Sequence, residues 1–90
     1  MINIIDIKRR IGEWIEQNQT IENASEIFKY YCNGEDVTIS MEKSNINPYI
    51  GVKVETETLV YRFIYKGSSK SPFDMSKLEH INTTKIEDDD

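Results

Sequence analysis

A chain of 90 residues, 38% hydrophobic and 30% charged, can close one folded domain, 1–90, but has little apolar material left for a buried catalytic cleft. The formal net charge of −5 argues against general duplex binding, because phosphate attraction supplies most non-specific affinity. A lone Cys32 excludes an internal disulfide, no apolar run approaches the ~20 residues of a membrane helix, and no secretory leader is seen, so a cytoplasmic setting is expected.

In chain order, Ile4, Ile7, Ile11 and Trp14–Ile15 recur at helical spacing, which predicts a first helix over about residues 3–17. Gly12 sits in its middle, either to allow close packing or to mark a bend. Asn18-Gln19-Thr20 reads as a break. Ile21, Ala24, Ile27–Phe28 and Tyr31 then predict a second helix over about 21–32, stopped by Asn33-Gly34.

From there the apolar period changes to two. Val37, Ile39 and Met41 predict a strand over about 36–42, Ile50, Val52 and Val54 one over about 49–56, and Leu59, Tyr61, Phe63 and Tyr65 one over about 59–66. Folding back around Glu57-Thr58 sets Val54 opposite Tyr61, Val52 opposite Phe63 and Ile50 opposite Tyr65. A pairing of Met41 with Ile50 and Ile39 with Val52 would complete a meander around the 49–56 strand. Residues 43–48 read as a loop. Glu57-Thr58 lacks the Asn-Gly or Asp-Gly of a two-residue turn, so a four-residue or irregular link is expected there. Ser71-Pro72-Phe73-Asp74 resembles a helix start, which with Met75, Leu78 and Ile81 predicts a short helix over about 72–81. The acidic tail, 82–90, reads as frayed.

The expected fold class is therefore α+β, with two N-terminal helices packed on a three-stranded antiparallel β-meander, a short C-terminal helix and an acidic tail.

Signatures of catalysis are absent from the sequence: no phosphate-binding glycine loop, no HExxH, no nucleophile elbow. His80 reads as a helix-surface residue without a second metal ligand, and Cys32 as a structural thiol. A protein that is not an enzyme and takes no cofactor or metal is the expectation.

Two surfaces remain as candidates for binding. The first is acidic: Glu13, Glu16, Glu22, Glu26, Glu35 and Asp36, which with Glu42 face only Lys29 as a base across residues 11–42. The second is the sheet face away from the helices, with Tyr49, Lys53, Arg62, Ile64 and Lys66, where Lys53 lies opposite Arg62 and a partner is expected to supply the missing acid. Abundant Ile, Lys, Asn and Glu suggest AT-rich coding, as in a low-GC bacterium or its phages and plasmids. The leading expectation is a small inhibitor or immunity-type protein, of an anti-defence kind, whose acidic surface blocks a larger nucleic-acid-processing enzyme. The alternatives are a homodimeric adaptor or regulator using the open sheet face, and a single-strand nucleic-acid binder using Lys53, Arg62, Lys66 and Lys70. No membrane partner is expected.

Overall fold

The structure is a computed structural model and describes residues 3–24, 27–42 and 49–86. One α-helix, α1 (Ile4–Glu16), precedes a five-stranded antiparallel sheet in simple meander order: β1 (Phe28–Cys32), β2 (Glu35–Glu42), β3 (Ile50–Glu55), β4 (Leu59–Tyr65) and β5 (Leu78–Lys85). The fold is thus α+β with an antiparallel sheet, as far as class goes. It is not two helices on a three-stranded meander.

The first helix forms where its period predicts. Asn3 caps it by accepting the Asp6 N–H at 2.8 Å, and Asp6 places an acid in the first turn, where the helix dipole favours it. The helix ends as Gln19 turns to φ 70°, with the Asn18 side chain donating to the Trp14 carbonyl at 3.0 Å. Its buried face is Ile7, Ile11, Trp14 and Ile15. Gly12 answers to close packing: a Cβ there would sit 3.0 Å from the Met75 sulfur.

The expected second helix does not exist. Ile21–Asn23 makes a single 3₁₀ turn, and Phe28–Cys32 is an edge strand. Two physical signals compete over this segment, and the local one misleads. Ile27 and Tyr31, assigned inward by a helical period, are 61% and 71% exposed, whereas Phe28, Tyr30 and Cys32 alternate toward the core. Aromatic residues at a period of two favour a pleated, half-buried strand. Asn33-Gly34, read as a helix stop, takes φ of 52° and 84°, the left-handed pair that a two-residue hairpin turn demands.

The expected C-terminal helix is also replaced. Met75–Lys77 is one 3₁₀ turn capped by Asp74, and Leu78–Lys85 pairs along the free edge of β4. Met75 and Ile81 are accordingly exposed, and only Leu78 of the supposed apolar stripe is buried. An unpaired β4 edge would leave a row of backbone donors and acceptors open, and β5 satisfies them. Residues 82–85, assigned to a frayed tail, belong to this strand, while 87–90 lie outside the described residues.

The central hairpin keeps its expected register: Val54 faces Tyr61, Val52 faces Phe63, Ile50 faces Tyr65 and Lys53 faces Arg62. The β2–β3 register differs by two residues, with Ile39 opposite Val54 and Met41 opposite Val52. A shift of two preserves which face each side chain takes, so the core is unaffected. That core gathers the α1 face with Ile21, Ala24, Val37, Ile39, Val52, Val54, Tyr61, Phe63, Tyr65 and Leu78. The link from β3 to β4 is the three residues Thr56, Glu57 and Thr58, tied by the Thr56 hydroxyl, which accepts the Leu59 N–H at 3.0 Å. The expected loop 43–48 lies outside the described residues.

Candidate functional site

The sheet side away from α1 carries alternating charges rather than a bare basic patch. Ser40, Lys53 and Arg62 line up across β2, β3 and β4. Lys53 pairs with Glu55 two residues along its own strand, Nζ to carboxylate 2.9 Å. Arg62 reaches across β3 to Glu42 at 3.6 Å and donates to the Thr84 hydroxyl at 3.3 Å. Lys66 pairs with Glu79 on β5, which raises the pKa of its ammonium through the hydrogen bond and the charge of that acid. The expectation that a partner must supply the acid for Lys53 and Arg62 is corrected here, because the chain's own Glu55 and Glu42 do so.

The apolar members of this face are less open than the strand parity suggests. Ile64 is only 7% exposed, between neighbours that include Glu42's partner strand residue Gly51 and Glu79. Tyr49 places its ring 5.9 Å from the Lys66 ammonium. Lys70 lies exposed in the segment between β4 and β5.

The five described acids of the acidic surface do not share one face. Glu13 and Glu16 are exposed on α1, with Glu13 bound by Arg10 at 3.2 Å. Glu22 is exposed on the 3₁₀ turn, whose backbone N–H donates to Ser69. Glu35 and Asp36 open β2 at the far end of the sheet. Glu26 lies outside the described residues.

Two turns meet at that end. The Glu57 N–H donates to the Glu35 carboxylate at 3.1 Å, which ties the β3–β4 link to the β1–β2 hairpin. Glu35, Asp36, Glu55 and Glu57 are thereby gathered at the end of three neighbouring strands. Sequence reasoning placed neither Glu55 nor Glu57 on the acidic surface, which it confined to residues 13–36. The strand parity and the turn position together would have placed them beside Glu35.

A cleft between α1 and β1 is lined by Asp6, Arg9, Arg10, Glu13, Tyr30 and Cys32. Its charges are paired within the helix, Arg9 with Asp6 at 3.9 Å and Arg10 with Glu13, and the Arg10 guanidinium lies 5.5 Å from the Tyr30 ring centre. Burial, reinforced by the neighbouring Cys32 thiol, pushes the Tyr30 hydroxyl up to about 12. Cys32 itself stands at the end of β1, half-buried, not at a helix end. His80 is on β5 rather than on a helix. Its ring lies 5.3 Å from Phe63, and its Nε2 is 2.7 Å from the Thr83 hydroxyl.

These features define a class, a two-layer α+β protein whose five-stranded sheet is covered on one side and charge-paired on the other. Comparison with protein-family models, curated proteins and solved structures found no match to the chain. Among the described residues, no helix is long and apolar enough to cross a membrane.

Proposed function

We propose that the chain is a small non-catalytic binding protein that docks on a larger, basic protein partner through its acidic residues. The finer reading is an inhibitor or immunity-type protein that occupies the nucleic-acid groove of a processing enzyme. The observation that carries it is the acidic sheet end, where Glu35 and Glu57 are tied together beside Asp36 and Glu55. Glu55 is paired with Lys53, so the field comes from Glu35, Asp36 and Glu57, braced by the Glu57 N–H bond to the Glu35 carboxylate, and such a field speeds encounter with a basic groove and opposes wrong partners. The charge-paired open face supports this reading over single-strand binding, since Lys53, Arg62 and Lys66 each already hold an acid.

The test is affinity capture from a host extract with mass readout, followed by binding of the captured partner at rising salt. Affinity should fall with ionic strength, and Asp36→Lys with Glu57→Lys should weaken it at least about tenfold, on the order of 1.4 kcal/mol. Glu13→Lys, Glu16→Lys and Glu22→Lys, on α1 and the 3₁₀ turn, separate those acids from the sheet-end acids. Unchanged affinity after reversal at both places would refute docking through acids.

A further inference from the structure

The two edges of the sheet are treated differently. On β5 the ladder is interrupted between Arg62 and Phe63, leaving Ile81 as an extra residue, and the strand carries Lys85 near its end. A bulge and an edge lysine are both devices that discourage another strand from pairing. The other edge, β1, has an unbroken register with β2 from Phe28 to Cys32, no proline and no bulge. On this edge Tyr31 and the preceding Ile27 are the most exposed large apolar side chains of the sheet, at 71% and 61%.

The direction of the free backbone groups follows from the turn. Cys32 and Glu35 flank the two-residue turn Asn33-Gly34, and such a turn closes on a mutually hydrogen-bonded pair. Counting back, Cys32, Tyr30 and Phe28 turn their N–H and C=O groups toward β2. Lys29 and Tyr31 turn theirs outward, where the described residues offer them no backbone partner.

We infer that β1 is a self-pairing edge, and that a second copy of this chain adds to it antiparallel, with the two-fold axis at Tyr30. That register is the one that sets Lys29 of one copy opposite Tyr31 of the next and the reverse. Each such pair is made of two outward-facing residues, so both form hydrogen-bonded pairs. Tyr31 then comes directly beside a lysine of the other copy, which converts an exposed ring into a cation–π contact, and Asp36 follows in the same row of the sheet. No like charges meet directly across the axis. On the α1 side the same register places Phe28 opposite Cys32, both apolar and both packed against the core. The product is a continuous ten-strand sheet whose outer edges are the two bulged β5 strands.

This assembly is read on the pure chain, without the partner invoked above. Sedimentation equilibrium of the wild-type protein should give twice the chain mass at millimolar concentration. Amide exchange at Lys29 and Tyr31 should slow as concentration rises, while Thr83 and Lys85 on β5 stay constant. Lys29→Pro removes one outward N–H and no bond to β2, so the protomer keeps its sheet by circular dichroism and its mass halves. In a Cys32→Ser background, chains carrying Lys29→Cys mixed with chains carrying Tyr31→Cys should crosslink on oxidation. A wild-type chain that stays monomeric overturns the inference, as do concentration-independent exchange at Lys29 and Tyr31, a folded Lys29→Pro chain that still dimerises, or a dimer without that crosslink.

Discussion

Glu42 on β2 holds Arg62 on β4 diagonally across the intervening strand, carboxylate to Nε 3.6 Å, with Gly51 of β3 directly opposite Glu42 and Lys53 directly opposite Arg62. A Cβ at Gly51 would lie 2.7 Å from the Glu42 carbonyl oxygen, closer than side-chain carbons approach backbone. The pair offsets the repulsion of Lys53 facing Arg62. Both side chains are about one-third exposed, so water screens the attraction. A double-mutant cycle with Glu42→Gln and Arg62→Gln should give a coupling of about 0.2–1 kcal/mol in urea unfolding, falling with added salt. A coupling that ignores salt would mean that the two side chains act through packing alone.

Removing the acids should also change what the face attracts. With Glu42→Gln, Glu55→Gln and Glu79→Gln together, Lys53, Arg62 and Lys66 lose their internal partners. The triple variant should bind a single-stranded oligonucleotide in a low-salt gel shift more tightly than the wild type, by at least about tenfold, with steep salt dependence. Equal binding by the two proteins would show that charge pairing is not what sets this surface.

Tyr30 makes stability depend on alkaline pH. Its hydroxyl is buried, has no hydrogen-bond partner among the described residues, and is pushed up to about 12 from an ordinary value of 10.0. The folded state therefore keeps this proton after the unfolded chain has released it. The stabilisation is fully present below pH 10 and is lost as pH rises from about 10 through about 12, to a total of roughly 2 kcal/mol. Tyr30→Phe should flatten that decline in denaturation curves taken from pH 8 to 12. At neutral pH the same change should cost little, because it removes a hydroxyl that makes no bond within the protein. A loss above about 1.5 kcal/mol at neutral pH would reveal a bond that the geometry does not show.

What the sequence made legible was the part where local pattern and global packing agree. α1 and the β3–β4 hairpin each have one period over their whole length, and Val52 opposite Phe63 follows from parity alone. The two supposed helices failed where short apolar runs fit both periods. Ile21, Ala24, Ile27 and Tyr31 match a helix, Phe28, Tyr30 and Cys32 match a strand, and only the free edge of β2 decides between them. Met75, Leu78 and Ile81 gave way in the same manner to the β4 edge. The candidate surfaces suffered accordingly. Pairing Glu79 with Lys66 needs the β5 strand, and pairing Glu42 with Arg62 needs the observed β2–β3 register, two residues from the expected one.

Gly12 and Met75 provide a test of close approach. Alanine in place of glycine inside a helix should gain about 1 kcal/mol of propensity. Its methyl would meet the Met75 sulfur at 3.0 Å, a contact that the flexible and 40% exposed Met75 can relieve only by shifting. Gly12→Ala should therefore change stability by less than about 1 kcal/mol, while in a Met75→Ala background the same substitution should stabilise by about 1 kcal/mol. Gly12→Leu, which cannot be relieved by a small shift, should destabilise by about 1–3 kcal/mol. Thermal or urea unfolding of the four variants decides it; a Gly12→Ala gain that is the same with and without Met75 would remove the packing reason for the glycine.

The segment before β5 is held by Tyr65, whose hydroxyl accepts the Asp74 N–H at 2.9 Å while Phe73 stacks on its ring at 4.9 Å. Tyr65→Phe keeps the stack and strands the Asp74 donor, so it should cost about 1 kcal/mol and speed amide exchange at Asp74. The Asp74 carboxylate in turn accepts the Ser76 hydroxyl and N–H at 2.7 and 3.0 Å, which holds its pKa below the ordinary carboxylate value of 3.8. A depressed pKa means that the charged cap stabilises the fold above the unfolded value and that its contribution is lost as pH falls through the folded one. The stability difference between wild type and Asp74→Asn should accordingly be constant from pH 8 to 6 and shrink below about pH 4, measured by urea unfolding at each pH. A difference that stays constant down to pH 2 would show that the neutral cap serves Ser76 as well as the ion, and that Tyr65 alone fixes the segment.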